Sequence, residues 1–411
     1  MKYALKFPEG KLQGKICLPS SKSISNRLLI IRELSACKFN IENLSDSDDT
    51  KFLQQGMQSA SEIVDIEHAG TAMRFITAYF AATNQTKTIT GSERMKNRPI
   101  GDLIDALNQL GAEIKYLEKF GCPPVRTSGK QLSGNIIDIS GDTSSQFISA
   151  MLLIAPVLPN GLRLQIKGDV LVSMPYIKMT LDLMKQTGIE YTLSNNTIIV
   201  PRQEYRSNDI DVERDRSAAS YWYQMAILAN NVEILLEGLT KDSLQGDAII
   251  EQLSQMFGIN TEYLSQGGAI LTKQKSSCKM LDYNFIDIPD LIQTMAVTCC
   301  LSNTCFRFAG AQTLRVKETN RIAALKNELL KLGFCLKETA HDVIAWDGEK
   351  TLPQKQPISI ATYNDHRMAM AFAPAAMMFP KLQIENPDVV SKSYPKFWDE
   401  LKNVGVEICT C

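Results

Sequence analysis

Apolar residues recur at helical spacing in a series of segments that share one grammar: an amphipathic helix, a glycine at its stop, then a short strand-like run. The clearest are LIDALNQLGAEIKYL, TLDLMKQTGIEYTL, IIEQLSQMFGINTEYL, ALKNELLKLGFCLKET and FWDELKNVGVEICT, with TKFLQQGMQ a weaker sixth. A glycine just past a helix takes the left-handed conformation that turns the chain sharply into a strand. The stop glycines are Gly56, Gly111, Gly188, Gly258, Gly333 and Gly405, 55 to 77 residues apart. Such spacing predicts six copies of one α/β unit, longer than the ~20 to 50 residues of a solenoid repeat and so built from a helix pair and several strands. Three copies per lobe make two similar lobes, with the charge-dense segment PRQEYRSNDIDVERDRSAAS as the expected seam. The gap from Gly56 to Gly111 is the shortest, which predicts a trimmed strand pair or loop in the first lobe.

A length of 411 residues independently implies two domains. FISAMLLIAPVL and MAMAFAPAAMMF fall short of the ~18 apolar residues that a bilayer span needs, and are expected as core helices. The start, MKYALKFPEGKLQGK, lacks the apolar stretch of a secretory signal, so the cytoplasm is the expected location. Ten cysteines form no pair of C-x-x-C clips, and none of the three histidines has another at ligand spacing. Free thiols and no metal are expected. The 44 basic and 45 acidic residues leave a formal charge of -1. That balance argues against a broad nucleic-acid surface but allows a small, intensely basic pocket.

Helix entrances supply the candidates for such a pocket. In PSSKSISNRLLIIREL, Lys22, Ser23 and Arg27 open an apolar-periodic helix whose first N–H groups favour anions; a serine cap beside surface basics is the plainer reading. ISGDTSSQFISAMLLIAPVL follows the strand-like NIIDI and offers Ser144, Ser145 and Gln146, either as routine capping or as a polar ligand cradle. Gly70 and Thr71 precede a helix in HAGTAMRFITAYFAA. In GSERMKNRPIGDLIDAL, Arg94, Lys96 and Arg98 precede Pro99, and Arg98 can fork onto a carboxylate or phosphate unless the run is a solvated charged stretch. YNDHRMAMAFAPAAMMF sets Asp365, His366 and Arg367 against a helix apolar enough to be buried, and RVKETNR gathers three cations and a carboxylate before IAALKNELLKLG. Neither a G-x-x-x-x-G-K-[ST] loop nor a G-x-G-x-x-G after a strand is present, so ATP and dinucleotides are not supported. Cationic entrances in both halves point to a small polyanionic substrate held between two lobes.

In chain order, SKSISNR, AGTAMR, RMKNRPIG, SSQF, LVSMPYIKMTLDLM, QGD, RVKET, YNDHRMAM and SKSYP resemble the motifs of the 5-enolpyruvylshikimate-3-phosphate synthase family of enolpyruvyl transferases. The resemblance runs over nearly the whole chain. It implies an α/β fold of two similar lobes, each of three βαβαββ repeats in an inside-out α/β barrel. The first lobe, 16–213, is inserted into a second made of 1–15 and 214–411. The implied reaction moves the enolpyruvyl group of phosphoenolpyruvate to the 5-hydroxyl of shikimate 3-phosphate, releasing phosphate. No cofactor is implied, and the expected partners are the two substrates alone, with no nucleic acid, no membrane and a monomeric state. By motif, Lys22, Gly70, Arg98, Gln146, Arg321, Arg367 and Lys392 hold phosphoenolpyruvate. Ser23, Arg27, Ser144, Ser145, Ser173, Asp290 and Lys317 hold the shikimate partner, and Tyr176 lines the site. Asp290 matches the family's proton acceptor and Glu318 its proton donor; Lys22 and Lys392 complete the catalytic set.

Departures from the family pattern fall at substrate-contact and seam positions. His68 stands where an asparagine is usual before AGTAMR, Thr313 stands where a shikimate-contacting asparagine is usual, and Arg214 and Arg216 replace small residues near the seam. These changes are expected to act on affinity or lobe closure and leave the proton-transfer pair intact. The sibling transferase that acts on UDP-N-acetylglucosamine generally carries a cysteine shortly before the Arg-Pro of its flexible loop, and residues 91 to 98 contain none. A catalytically silent anion-binding homologue is the other alternative, opposed by the presence of Lys22, Asp290, Glu318 and Lys392.

Overall fold

The computed structural model describes residues 1–142, 144–168, 171–206 and 208–411. The chain forms two compact units: Met1–Pro19 with Glu213–Cys411, the terminal unit, and Ser20–Val212, the inserted unit. One topology recurs in both. In the inserted unit, strand Ile63–Asp65, helix Gly70–Ala82, strand Thr88–Thr90 and helix Gly101–Gln109 lead into a hairpin of Lys115–Tyr116 and Val125–Arg126. The first two strands are parallel, as a helical crossover requires, and the hairpin adds antiparallel strands beside the second. The same βαβαββ order is repeated by strands Ile136–Ser140 and Leu162–Lys167 with helices Ser145–Ile154 and Met174–Gln186.

In the terminal unit, Lys11–Cys17 pairs in parallel with Asn231–Glu237, Met280–Asn284 with Cys305–Ala309, and Ser359–Ile360 with Gln383–Glu385. The first strand of the chain, Lys2–Lys6, closes the last of these sheets beside Glu407–Thr410. Among the described residues five sheets have four strands and are open, and a sixth has two: Ile41–Glu42 beside Ile210–Asp211. The reduced sheet belongs to the copy with the short glycine spacing.

Burial explains the layering. Helices Gly70–Ala82, Arg216–Leu228, Ile292–Leu301 and His366–Phe372 are buried on nearly every face, as expected of helices without a polar side. Burial alternates along strands with one covered face, as in Leu162–Lys167, where Leu162, Leu164 and Ile166 are buried. Five stop glycines, Gly111, Gly188, Gly258, Gly333 and Gly405, have φ between 84° and 97°. Gly56 departs from the expectation, because it lies inside helix Asp48–Gln58. Close packing is its role there: a Cβ would sit 2.7 Å from Ile76 Cδ1 and 3.1 Å from Val64 Cγ1. The two long apolar stretches are also not single helices, since each passes into a 3-10 turn at its proline, Ala155–Val157 and Ala373–Met377. Among the described residues no helix is long and apolar enough to cross a membrane.

Candidate active site

In the inserted unit the helix entrances expected to bind anions are linked side by side. Lys22 is the first residue of helix Lys22–Leu34, capped by the Ser21 hydroxyl, which accepts from the Ile24 N–H at 3.4 Å. Its ammonium is held by the buried Asp49 carboxylate at 3.1 Å. Arg27, one turn on, is only 2% exposed. It donates to Thr180 Oγ1 at 2.7 Å, Ser149 Oγ at 3.1 Å and the carbonyls of Ser23 and Tyr176 at 2.8 and 3.2 Å. Those bonds tie Ser23 and Tyr176 to one point and join three helices. Burial pulls the Arg27 guanidinium down to about 10.

Helix Ser145–Ile154 begins at Ser144, whose side chain accepts the Gln146 N–H, and the Gln146 amide donates to Thr71 Oγ1 at 3.2 Å. Gly70, beside Thr71, lies against Arg98: a Cβ there would fall 2.3 Å from Arg98 Nη1. Arg74 supports this corner from below, donating to the carbonyls of Gly70 at 3.0 Å and Pro99 at 2.6 Å. Ser173 enters helix Met174–Gln186 in the left-handed conformation, φ 59°, which is uncommon for a side-chain-bearing residue and frequent at functional sites. Two groups of neighbours result, Lys22, Ser23, Arg27 and Tyr176 in one and Ser144, Gln146, Gly70 and Arg98 in the other, and helix Ser145–Ile154 serves both, through Ser149 and Gln146. Ser145 and Ser173 stand at the starts of the same helices, mostly buried at 7% exposure each.

In the terminal unit the cluster is an ion-pair network. Arg321 opens helix Arg321–Lys331 and is 1% exposed. It reaches three carboxylates: Asp365 Oδ2 at 2.7 Å, Asp290 Oδ1 at 3.1 Å and Glu318 Oε2 at 3.0 Å. Arg367 Nη2 lies 2.7 Å from Asp290 Oδ2, and Lys392 Nζ lies 2.8 Å from Glu318 Oε1. The candidate acceptor and donor are therefore each held by two cations. Asp365 organises the network: Tyr363 and Asn364, both at φ 54°, turn the chain so that Asp365 caps helix His366–Phe372 through the Arg367 N–H while facing Arg321. Burial pushes Asp290 upward, but Arg367, Lys317 and Arg321 outweigh it and hold the carboxyl well below its usual range. Burial likewise opposes the Arg321 charge, and Asp365, Glu318 and Asp290 overcome it and raise its proton affinity.

Thr313 is not bonded into this network. It is 8% exposed on the 3-10 turn Gln312–Val316, and its buried hydroxyl has no hydrogen-bond partner among the described residues. His68 packs edge-on against Phe52 with ring centroids 5.5 Å apart. Arg214 and Arg216 are occupied within the terminal unit: Arg214 donates to the Leu18 carbonyl at 3.1 Å, and the buried Arg216 donates to the Thr240 carbonyl and to the Tyr263 hydroxyl. Sequence reasoning missed Asp49, which holds Lys22, and the supporting Arg74, Ser149 and Thr180. SDSDDT reads only as acidic residues at a helix start, with nothing local to name Lys22 as a partner.

The fold matches those of solved enolpyruvyl transferases along the length of the chain. EPSP synthase from Acinetobacter baumannii matches over 100% of both chains with a TM-score of 0.75 at 18% identity. The enolpyruvyl transferase NikO from Streptomyces tendae matches over 100% of this chain and 99% of its own, also at 0.75 and with 14% identity. The fold is therefore that of the enolpyruvyl transferases. Sequence narrows the class: the model of the EPSP synthase (3-phosphoshikimate 1-carboxyvinyltransferase) family matches residues 53–401. A 3-phosphoshikimate 1-carboxyvinyltransferase of Bacteroides fragilis is 48% identical over 99% of both chains, and one of Shewanella halifaxensis is 34% identical over 96% of this chain and 97% of its own. This chain belongs to the EPSP synthase family.

Proposed function

We infer that this protein transfers the enolpyruvyl group of phosphoenolpyruvate to the 5-hydroxyl of shikimate 3-phosphate, releasing phosphate, as a step of aromatic amino-acid biosynthesis. Family membership over the full length supports the reaction. One observation carries the assignment of roles: Arg321, Arg367 and Lys392 are ion-paired with Asp290 and Glu318, the two carboxylates the chemistry needs. Each carboxylate occupies cations that a carboxylate or phosphate of the substrates would claim. When a substrate anion takes Arg367 from Asp290 and Lys392 from Glu318, both carboxylates gain proton affinity, because an opposite charge favours the ionised form. Asp290 becomes a base for the 5-hydroxyl and Glu318 can carry the proton it must deliver.

Glu318 protonates the methylene carbon of the enol, leaving a cationic carbon that the 5-hydroxyl captures as Asp290 takes its proton. The resulting tetrahedral intermediate bears a methyl group. The now ionised Glu318 takes back one methyl proton as the C–O bond to phosphate breaks, which restores the double bond, and Asp290 gives up its proton to the departing phosphate, so both carboxyls return to their starting states. Lys22, tethered by Asp49, Lys392, Arg98 and Arg367 stabilise the phosphoryl charge through these steps. Arg321, Gly70 and Gln146 complete the phosphoenolpyruvate set. Ser23, Arg27, Ser144, Ser145, Ser173, Tyr176, Thr313 and Lys317 serve shikimate 3-phosphate. The protein works as a monomer in the cytoplasm. Phosphate release tests the reading: it should require phosphoenolpyruvate and shikimate 3-phosphate together and not occur with UDP-N-acetylglucosamine. Release with the sugar nucleotide, or none with shikimate 3-phosphate, overturns it.

A further inference from the structure

A further carboxylate is linked to the Asp290–Arg367 pair, and none of the steps above uses it. Asp247, on the 3-10 turn Gly246–Ile249, is 2% exposed. Its Oδ2 accepts a hydrogen bond from the hydroxyl of Ser217, in the first turn of helix Arg216–Leu228. With that proton committed to Asp247, the Ser217 oxygen can only accept from Arg367, whose Nη2 lies 3.5 Å away and 2.7 Å from Asp290 Oδ2. One guanidinium nitrogen is thus shared between a serine oriented by Asp247 and the candidate proton acceptor. Keeping Asp247 here is unfavourable for the fold. Burial, then the neighbouring Asp290, push its carboxyl up to about 6, Asp215 adds to the push, and Arg367 and the Ser217 hydrogen bond only partly offset it. A neutral amide in the same place would avoid most of that cost.

We propose that Asp247 is a positioning residue for the reaction: through Ser217 it holds one Arg367 nitrogen against Asp290 and so aims the rest of the guanidinium at the substrate anion. The proposal rests on the reading of Asp290 as proton acceptor and Arg367 as an anion holder. It separates function from stability, because the group that orients Arg367 is one the fold would be more stable without.

The test is steady-state kinetics and thermal unfolding of Asp247→Asn, Asp247→Ala, Ser217→Ala, Ser217→Thr and the double variant Ser217→Ala/Asp247→Ala. Losing one charge-assisted link should lower kcat/KM for phosphoenolpyruvate about tenfold in both Asp247→Ala and Ser217→Ala. Ser217→Thr, which keeps the hydroxyl, should stay within about twofold of the parent. The double variant should be no worse than Asp247→Ala alone, because the two residues act in series. At pH 8 Asp247→Asn should melt a few degrees above the parent while being less active. Parent-like kinetics in both Asp247 variants overturn the proposal. So does a purely structural pattern, in which activity and melting temperature fall together, losses add in the double variant and threonine does not rescue. Arg367→Lys and Asp290→Asn run alongside: full activity in these overturns the site reading itself, and that failure is distinguishable from failure of the Asp247 link.

Discussion

Gly70→Ala perturbs the candidate phosphoenolpyruvate site by one methyl group. The new Cβ would stand 2.3 Å from Arg98 Nη1 and 2.8 Å from its Cζ and Nη2. Ordinary contact begins near ~3.5 Å, so the guanidinium must retreat by about 1 Å, and it can, because the obstructing atoms end a flexible side chain. The helix backbone stays, since Gly70 is already helical and alanine favours that conformation. A displaced Arg98 loses the alignment of a charge-assisted bond, worth about 1.5–3 kcal/mol, or roughly 10- to 150-fold in affinity. The assay is initial-rate kinetics with each substrate varied in turn, backed by a thermal melt to establish folding. KM for phosphoenolpyruvate should rise by about that factor, with KM for shikimate 3-phosphate nearly unchanged. An unaltered phosphoenolpyruvate KM in a folded variant would refute the placing of Arg98 on that substrate. An equal rise for both substrates would mean that the whole corner had moved.

Glu318→Gln should lower turnover by about 10²-fold or more with both KM values largely kept, as for a general acid acting in the transition state; near-normal kcat would remove Glu318 from that role. Thr313→Asn gives a buried, unpartnered position a longer amide and should tighten shikimate 3-phosphate by about 1 kcal/mol without changing phosphoenolpyruvate, as isothermal titration would read. Asp247, raised from 3.8 to about 6, contributes stability that is present below about pH 4 and lost as pH rises through 6. Denaturant melts should therefore find Asp247→Asn more stable than the parent above pH 6, by up to ~3 kcal/mol, with the gain vanishing near pH 4. A gain that is equal at pH 4 and pH 8 would mean that the carboxylate charge is not its source.

Much of the fold was legible because the repeat writes itself into local chemistry. Five stop glycines carry the left-handed turn a side chain would resist, and that requirement survives any tertiary context. Gly56 misled because it answers to a different constraint, contact with Ile76 and Val64 on neighbouring elements, which no local pattern records. The cations were legible for a similar reason: Lys22, Arg98, Arg321 and Arg367 stand at or beside helix starts, where sequence marks both the helix and the charge. Their pairing with particular carboxylates was not. Asp365 meets Arg321 across 44 residues, and Asp49 and Lys22 belong to separate helices, so only folding makes pairs of them. Asp247 was visible within QGD, but its bond to Ser217 across 30 residues was not.

The most direct test of the central claim, that Glu318 delivers a proton to the methylene carbon and a methyl-bearing intermediate returns one, is the reaction run in deuterium oxide. The account predicts deuterium in the methylene group of the enolpyruvyl product, formed only when both substrates are present and suppressed with turnover in Glu318→Gln. Product formed at the normal rate with no deuterium in its methylene group, or wild-type incorporation by Glu318→Gln, would contradict it.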